Sequence, residues 1–204
     1  SKILDEVKPR TVIHLAAQAG VRLPVELTHK YVESNLTGFS NVLQSVIEHR
    51  IPDFLYASSS SVYGDSTDVP YKEKAVGLSP ISFYGATKLS NELLAKALTA
   101  NSQTRSRGMR FFTVYGPWGR PDMALFLFAD AIDNDRAIKV FNHGKMKRDF
   151  TYVDDIISGI IGCLNIKTNK IPDASIFNIG NSNPIDLMEF ISIMENKFQK
   201  NIFL

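Results

Sequence analysis

Three short apolar runs constrain the architecture more than any other feature. TVIHLAA (11–17), DFLYAS (53–58) and MRFFTVYG (109–116) are rich in β-branched and aromatic residues, and each closes on small or polar ones. Between the first two, Val32, Leu36, Phe39, Leu43 and Ile47 recur at spacings of three and four, so 24–50 reads as largely helical. Between the second and third, 83–100 is dense in Ala, Leu, Lys and Glu. Strands this apolar are covered on both faces, and helices of that length can carry the chain back over a sheet. The alternation predicts an α/β fold, a parallel sheet with helices on both faces.

The rest of the chain is less regular. Residues 1–7 read as the end of a helix, which makes the chain look like a piece of a longer protein. NSQTRSR (101–107) is polar and reads as a break before the third strand. After Gly116 comes an irregular loop, GPWGRPDM, then an amphipathic helix over 124–131. AIKVF (137–141) and DFTYV (149–153) read as short strands, 155–164 as a helix, SIFNIG (175–180) as a strand and 186–198 as a helix. Asp154 and Asp155 read as caps of the helix that follows them. We expect 1–116 to form one partial domain. The segment 117–204 should be mainly a smaller domain, with some elements returning to the first.

Composition excludes several classes. The 23 basic and 21 acidic side chains leave a net charge of only +2, too little to argue for nucleic acid or an anionic membrane surface as partner. One cysteine, Cys163, removes a disulfide scaffold and a multi-cysteine metal site. No metal is expected from the four histidines, which lack ligand spacing. No apolar run approaches the ~20 residues of a membrane span. A reducing compartment, the cytoplasm, is the expected location.

The chemistry concentrates at the end of the second strand. Ser58, Ser59, Ser60 and Ser61 follow the apolar FLYA and form a polar lip where open parallel sheets bind ligands. In the next helix, Tyr84 and Lys88 stand four residues apart and project from one face. A nearby ammonium favours the phenolate, which makes Tyr84 a candidate general acid/base. Taken alone, Tyr-x-x-x-Lys also arises by chance.

Together these motifs resemble the extended short-chain dehydrogenase/reductase superfamily, specifically its nucleotide-sugar epimerases and dehydratases. VIHLAAQAGV, SSSSVYG, YGATK, RFFTVYGP and KRDFTYVDDI follow one another in that family's order and spacing. RFFTVYGPWGRPDMA is similar to the UDP-glucuronate 4-epimerases. The resemblance implies a Rossmann-like sheet, a smaller substrate-binding domain, and a catalytic set of Ser59, Tyr84 and Lys88. It implies bound NAD, contacted by Leu15, Ala16, Ala17, Gln18, Ser34, Asn35 and Phe112 as well as Tyr84 and Lys88. Ala16 and Ala17 fit tight helix-strand packing equally well. A UDP-sugar is the implied substrate, touched by Ser59, Ser60, Ser61, Thr113, Arg120 and Arg148. A homodimer joined through a four-helix bundle, built from 24–50 and 83–100, is the implied assembly.

Within that family, dehydratases carry Asp-Glu immediately before VYG. This chain carries Ser60 and Ser61, which are no carboxyl proton donors near neutral pH, so simple 4-epimerisation fits better. Another nucleotide-sugar epimerase or dehydratase, or an inactive piece, remains the alternative. The family's Gly-rich phosphate loop does not occur in these 204 residues. Leu127 departs from a basic residue, and 101–107 is unlike the family. Trp118 either lines a sugar pocket or packs its loop.

Overall fold

A computed structural model describes residues 2–20, 24–138, 140, 142–166 and 174–200. The chain divides into two compact units, one of 1–111 with 160–179, the other of 112–159 with 180–204.

The first unit is built on four parallel strands: β1 (Thr11–His14), β2 (Asp53–Ser59), β3 (Arg105–Phe111) and β6 (Ala174–Ile179), in the order β1-β2-β3-β6. Helix α1 (Lys2–Val7) precedes β1. The first crossover combines a short 3₁₀ turn, α2 (Thr28–Tyr31), a π-helical stretch (Val32–Gly38) and α3 (Phe39–Glu48). The second carries α4 (Phe83–Thr99). Phe39, Leu43, Val46, Ile51, Phe54, Tyr56 and Ala95 form the core between these helices and the sheet. Each Val, Leu, Ile or Phe among them, taken fully from water, contributes ~1.5–3 kcal/mol. Phe39 meets Phe54 and Tyr56 edge-on at centroid distances of 5.7 and 5.2 Å. Gly108 belongs to this core by necessity, because a Cβ there would lie 2.6 Å from the Tyr56 hydroxyl. Arg107 and Met109 alternate with Gly108 and face away from α4, and the Arg107 charge reaches Cys163 at the end of α6 (Val153–Asn165).

The second unit holds β4 (Thr113–Tyr115), β5 (Lys147–Tyr152) and β7 (Pro184–Asp186), with β4 parallel and β7 antiparallel to β5. Helices α5 (Ala124–Asp133) and α7 (Leu187–Phe198) meet over Ala131, Ile132, Ile138 and Met194.

Several expectations need correction. The first strand ends at His14, not at Ala17. The polar stretch 101–107 is not a break throughout: β3 starts at Arg105, because Arg105 and Arg107 both find Asp53 on the neighbouring strand. The run 109–116 is not one strand, since β3 ends at Phe111 in one unit and β4 lies in the other. Of 137–141, Lys139 and Phe141 lie outside the described residues, and Ala137, Ile138 and Val140 are in no strand. The π turn shifts the phase of the first crossover, so Tyr31, Asn35, Phe39, Leu43 and Val46 are buried while Val32 is exposed. Asp154 and Asp155 sit inside the first turn of α6, where the helix dipole favours them, rather than capping it.

Candidate active site

Helix α4 opens on Ser82, whose hydroxyl caps the Gly85 N–H at 3.0 Å. From there Tyr84, Lys88 and Glu92 fall on one stripe at helical spacing. Tyr84 is half-buried and Lys88 almost fully so. The Lys88 ammonium donates to the Ala57 carbonyl at 2.9 Å, and its Nζ stands 5.8 Å from the centre of the Tyr84 ring. Burial pulls the Lys88 pKa down to about 8. At neutral pH the group keeps its proton and faces the tyrosine as a cation.

Ala57 lies two residues before Ser59, so that bond joins α4 to the end of β2. Ser59 Oγ accepts the Ser61 N–H at 3.1 Å, turning the chain into a 3₁₀ turn (Ser60–Tyr63). The Ser61 carbonyl then approaches Gly85 so closely that a Cβ there would stand 2.6 Å from it. The serine lip and the first turn of α4 are in direct contact. Ser59 is buried, and Ser60 and Ser61 are half-buried.

A third element enters from the π stretch. Asn35 is 1 % exposed, and its amide bridges the chain beyond β1 to α4. Oδ1 accepts the Gln18 N–H at 2.8 Å, while Nδ2 donates to the Gln18 carbonyl at 3.1 Å and to Thr87 Oγ1 at 3.0 Å. Thr87 in turn donates to the Tyr84 carbonyl at 2.8 Å. The Tyr31 hydroxyl donates to the Gly20 carbonyl, and its ring lies 6.2 Å from that of Tyr84. Leu15, Ala16 and Ser34 are exposed nearby in sequence, with Ala17 and Gln18 half-buried. His14 packs on Phe39 and Phe54, and burial, with Lys88 adding to it, lowers its pKa. Tyr56, the tyrosine of β2, is buried and its phenol is pushed well above the usual range, which disqualifies it as a base.

The structure thus gathers Gln18, Asn35, Ser59, Ser61, Tyr84 and Lys88 in the first unit. Phe112, Thr113, Arg120 and Arg148 belong to the second. There Phe112 and Thr113 are half-buried, and Arg120 forks onto Asp122 at 2.9 and 2.7 Å, holding that carboxyl below its usual range. Arg148 is exposed on β5. Asp149 accepts the backbone N–H groups of Asn181 and Ser182 at 3.0 and 2.8 Å and so shapes the loop after Ile179. Trp118 does not pack its loop: it is fully exposed, at a left-handed φ of 62°. Leu127 is exposed on α5. Two groups escaped the sequence reading, Glu92 and Arg110, both buried where the strands end. A charge on the same helical stripe as Tyr84 and Lys88, and another inside an apolar strand, were the available signs. No metal-binding cluster occurs among the described residues, and no described helix is long and apolar enough to cross a membrane.

Residues 1–180 match the NAD dependent epimerase/dehydratase family. Protein CapI of Staphylococcus aureus is 47 % identical over 98 % of this chain and 64 % of its own length. UDP-glucuronate 4-epimerase 2 of Arabidopsis thaliana is 44 % identical over 95 % of this chain and 48 % of its own. Among solved structures, UDP-glucuronic acid 4-epimerase from Bacillus cereus, in complex with UDP-glucuronic acid and NAD, superposes with a TM-score of 0.86 at 33 % identity. That match covers 99 % of this chain and 63 % of the other. The chain spans about half to two-thirds of the length of the proteins it matches.

Proposed function

The chain belongs to the NAD dependent epimerase/dehydratase family, and from that membership we propose that the protein carrying it is a UDP-hexuronate 4-epimerase, interconverting UDP-glucuronate and UDP-galacturonate. The observation that carries the proposal is the junction of α4 with the end of β2, where Lys88 holds the Ala57 carbonyl and faces Tyr84 beside the serine lip.

The residues fit one half of a dinucleotide. Small side chains at Ala16 and Ala17 leave backbone accessible after β1, Gln18 is pinned by Asn35, and Lys88 offers an ammonium for a ribose hydroxyl. Ser34 and Phe112 complete the proposed contacts. When bound, NAD supplies reversible hydride acceptance at the fourth carbon of the sugar. The protein handles the proton. Tyr84 takes it from the 4-hydroxyl and returns it to the same oxygen, and Ser59 Oγ hydrogen-bonds that oxygen throughout. Lys88 stabilises the tyrosinate as a cation one turn away.

Ser60 and Ser61 offer hydroxyls but no carboxyl acid, which favours inversion over elimination of water. Thr113 and Arg120 suit a sugar carboxylate, the fork of Arg120 being matched to a planar anion and already occupied by one in Asp122. Arg148 suits a diphosphate. Exposed Phe83, Leu93 and Leu98 on α4, with Val32 on the preceding crossover, support a homodimer through a four-helix bundle. The free Cys163 accords with a reducing, cytoplasmic setting.

The test is conversion of UDP-glucuronate by the complete protein without added NADH, followed by anion-exchange chromatography. Tyr84→Phe should lower kcat by ~10³-fold or more. Retained activity in that variant would refute the mechanism, and faster turnover of UDP-glucose than of UDP-glucuronate would refute the hexuronate.

A further inference from the structure

We propose that Glu92 is a positioning residue which, with Arg110, locks the end of β2 against the helix that carries Tyr84 and Lys88. The inference rests on the reading of that helix given above and extends it to residues that touch neither substrate nor cofactor.

Glu92 follows Lys88 by one helical turn and is 7 % exposed. Its Oε1 accepts the Ser58 hydroxyl at 2.5 Å. Ser58 lies between Ala57, whose carbonyl takes the Lys88 ammonium, and Ser59. Two successive residues of β2 are therefore tied to two successive turns of α4. The carboxylate is itself held by Arg110 of β3, with Nε donating to Oε1 at 2.9 Å and Nη2 to Oε2 at 2.7 Å. Burial opposes the Arg110 charge, and hydrogen bonding and charge from Glu92, with a smaller share from Tyr63, more than offset it.

The pair has a third arm. Arg110 Nη1 donates to the Tyr63 hydroxyl at 2.8 Å, and that hydroxyl donates to Asn178 Oδ1 at 2.7 Å. Asn178 holds the loop beyond the serines, its Nδ2 donating to the Tyr71 carbonyl at 2.9 Å and its N–H to Glu73 Oε1 at 3.0 Å. The Tyr63 and Tyr71 rings stack at 4.3 Å. Both chain directions leaving Ser59 and Ser61 are thus referred to one buried ion pair.

Stability alone gives little reason for such a pair, because an apolar couple of similar volume commonly serves the core as well. Its arms instead end on the strand end, the serine turn and the following loop. The geometry of the reacting groups depends on all three.

The experiment uses the complete protein. Ser58→Ala removes the link to β2 and leaves the ion pair. It should lower kcat ~10-fold with KM for the UDP-sugar within about twofold, and Ser58→Thr should restore kcat. A Glu92→Met/Arg110→Met double variant should keep its fold, as judged by thermal unfolding, yet lose at least as much kcat. Wild-type kcat in a folded double variant, or in Ser58→Ala, would overturn the proposal and leave the epimerase reading intact. A wild-type protein inactive on every UDP-sugar would sink that reading instead. The Lys88 ammonium then decides the present one. In ¹⁵N NMR, with Lys88→Met identifying the resonance, Ser58→Ala should raise its titration point by at least ~0.5 unit as the loosened strand end admits water. His14 on β1 and the Tyr31 and Tyr84 rings, which face the same locus, are unchanged in these variants. An unmoved titration would overturn the proposal.

Discussion

Gly85→Ala tests whether the serine lip and the tyrosine helix form one site. A Cβ at this position would stand 2.6 Å from the Ser61 carbonyl oxygen, 3.0 Å from Pro80 Cβ and 3.1 Å from Ser82 Oγ, where ordinary contact begins at 3.4 Å. The nearest neighbour is backbone and cannot swing away. It accepts the Gly64 N–H at 3.3 Å, while the Ser61 N–H is engaged by Ser59 Oγ at 3.1 Å. Helix and turn must therefore part by about 0.8 Å. Overpacking of this kind costs ~1–3 kcal/mol, and alanine returns ~1 kcal/mol of helix propensity. The net loss is ~0–2 kcal/mol, a few degrees in Tm. Chemistry is more sensitive, since displacing reacting groups by ~1 Å costs ~10²-fold in rate. We expect kcat for UDP-glucuronate to fall about that far, read by chromatographic separation of the two UDP-hexuronates. A variant within twofold of wild-type kcat would refute the idea that these elements share a site.

Lys88→Met probes the buried ammonium through pH. The folded-state pKa, about 8, lies below the unfolded 10.5, so the unfolded chain holds more protons between these values and wild-type stability rises with pH across that window. Relative to wild type, Lys88→Met should be favoured most below pH 8 and should lose up to ~3 kcal/mol of that relative stability by pH 10.5 in urea unfolding; a difference flat with pH would contradict the burial. At the other end of the sheet, Arg107 is 2 % exposed, and its Nε and Nη1 have no hydrogen-bond partner among the described residues, although Nη1 lies 3.0 Å from Asp53. Arg107→Met should therefore be neutral or stabilising by ~1–4 kcal/mol, whereas Asp53→Ala, which strands two arginines, should cost ~3–5 kcal/mol; denaturant midpoints in the reverse order would refute this.

The alternation of apolar strands with long helices is a local property, and it marks β1 and β2 to within a few residues but catches only the end of β3. The stripe of Tyr84 and Lys88 is equally local, because helical spacing alone puts both on one face. The serine lip needs only the rule that parallel sheets bind ligands beyond their strand ends. What stays hidden is set by partners far along the chain. Arg105 makes 101–107 look like a loop until Asp53 is seen beside it, 52 residues away in sequence. Asn35 lies off the apolar stripe read from the sequence, yet its bonds to Gln18 and Thr87 cross 17 and 52 residues. Those bonds accompany the π turn that moves Val32 out of the core.

The same distinction explains why the site divides into parts that could and could not be read. The groups proposed to react, Tyr84 and the serines, sit at a helix start, a turn and a strand end, whose residue types announce them. Groups that hold them must be unreachable, because a hydrogen bond to a charge positions a neighbour firmly only where water cannot compete. Glu92 and Arg110 satisfy that second condition and no other. In the sequence one resembles a solvated helix charge and the other an interruption of an apolar strand. Their significance appears only when α4 and β3 meet, because each charge is balanced in the interior by the other. A buried charge aligned with a reactive stripe is therefore informative in itself: the cost of hiding it makes sense only if its partner lies across the packing interface, and here that interface is the seam on which the reacting geometry depends.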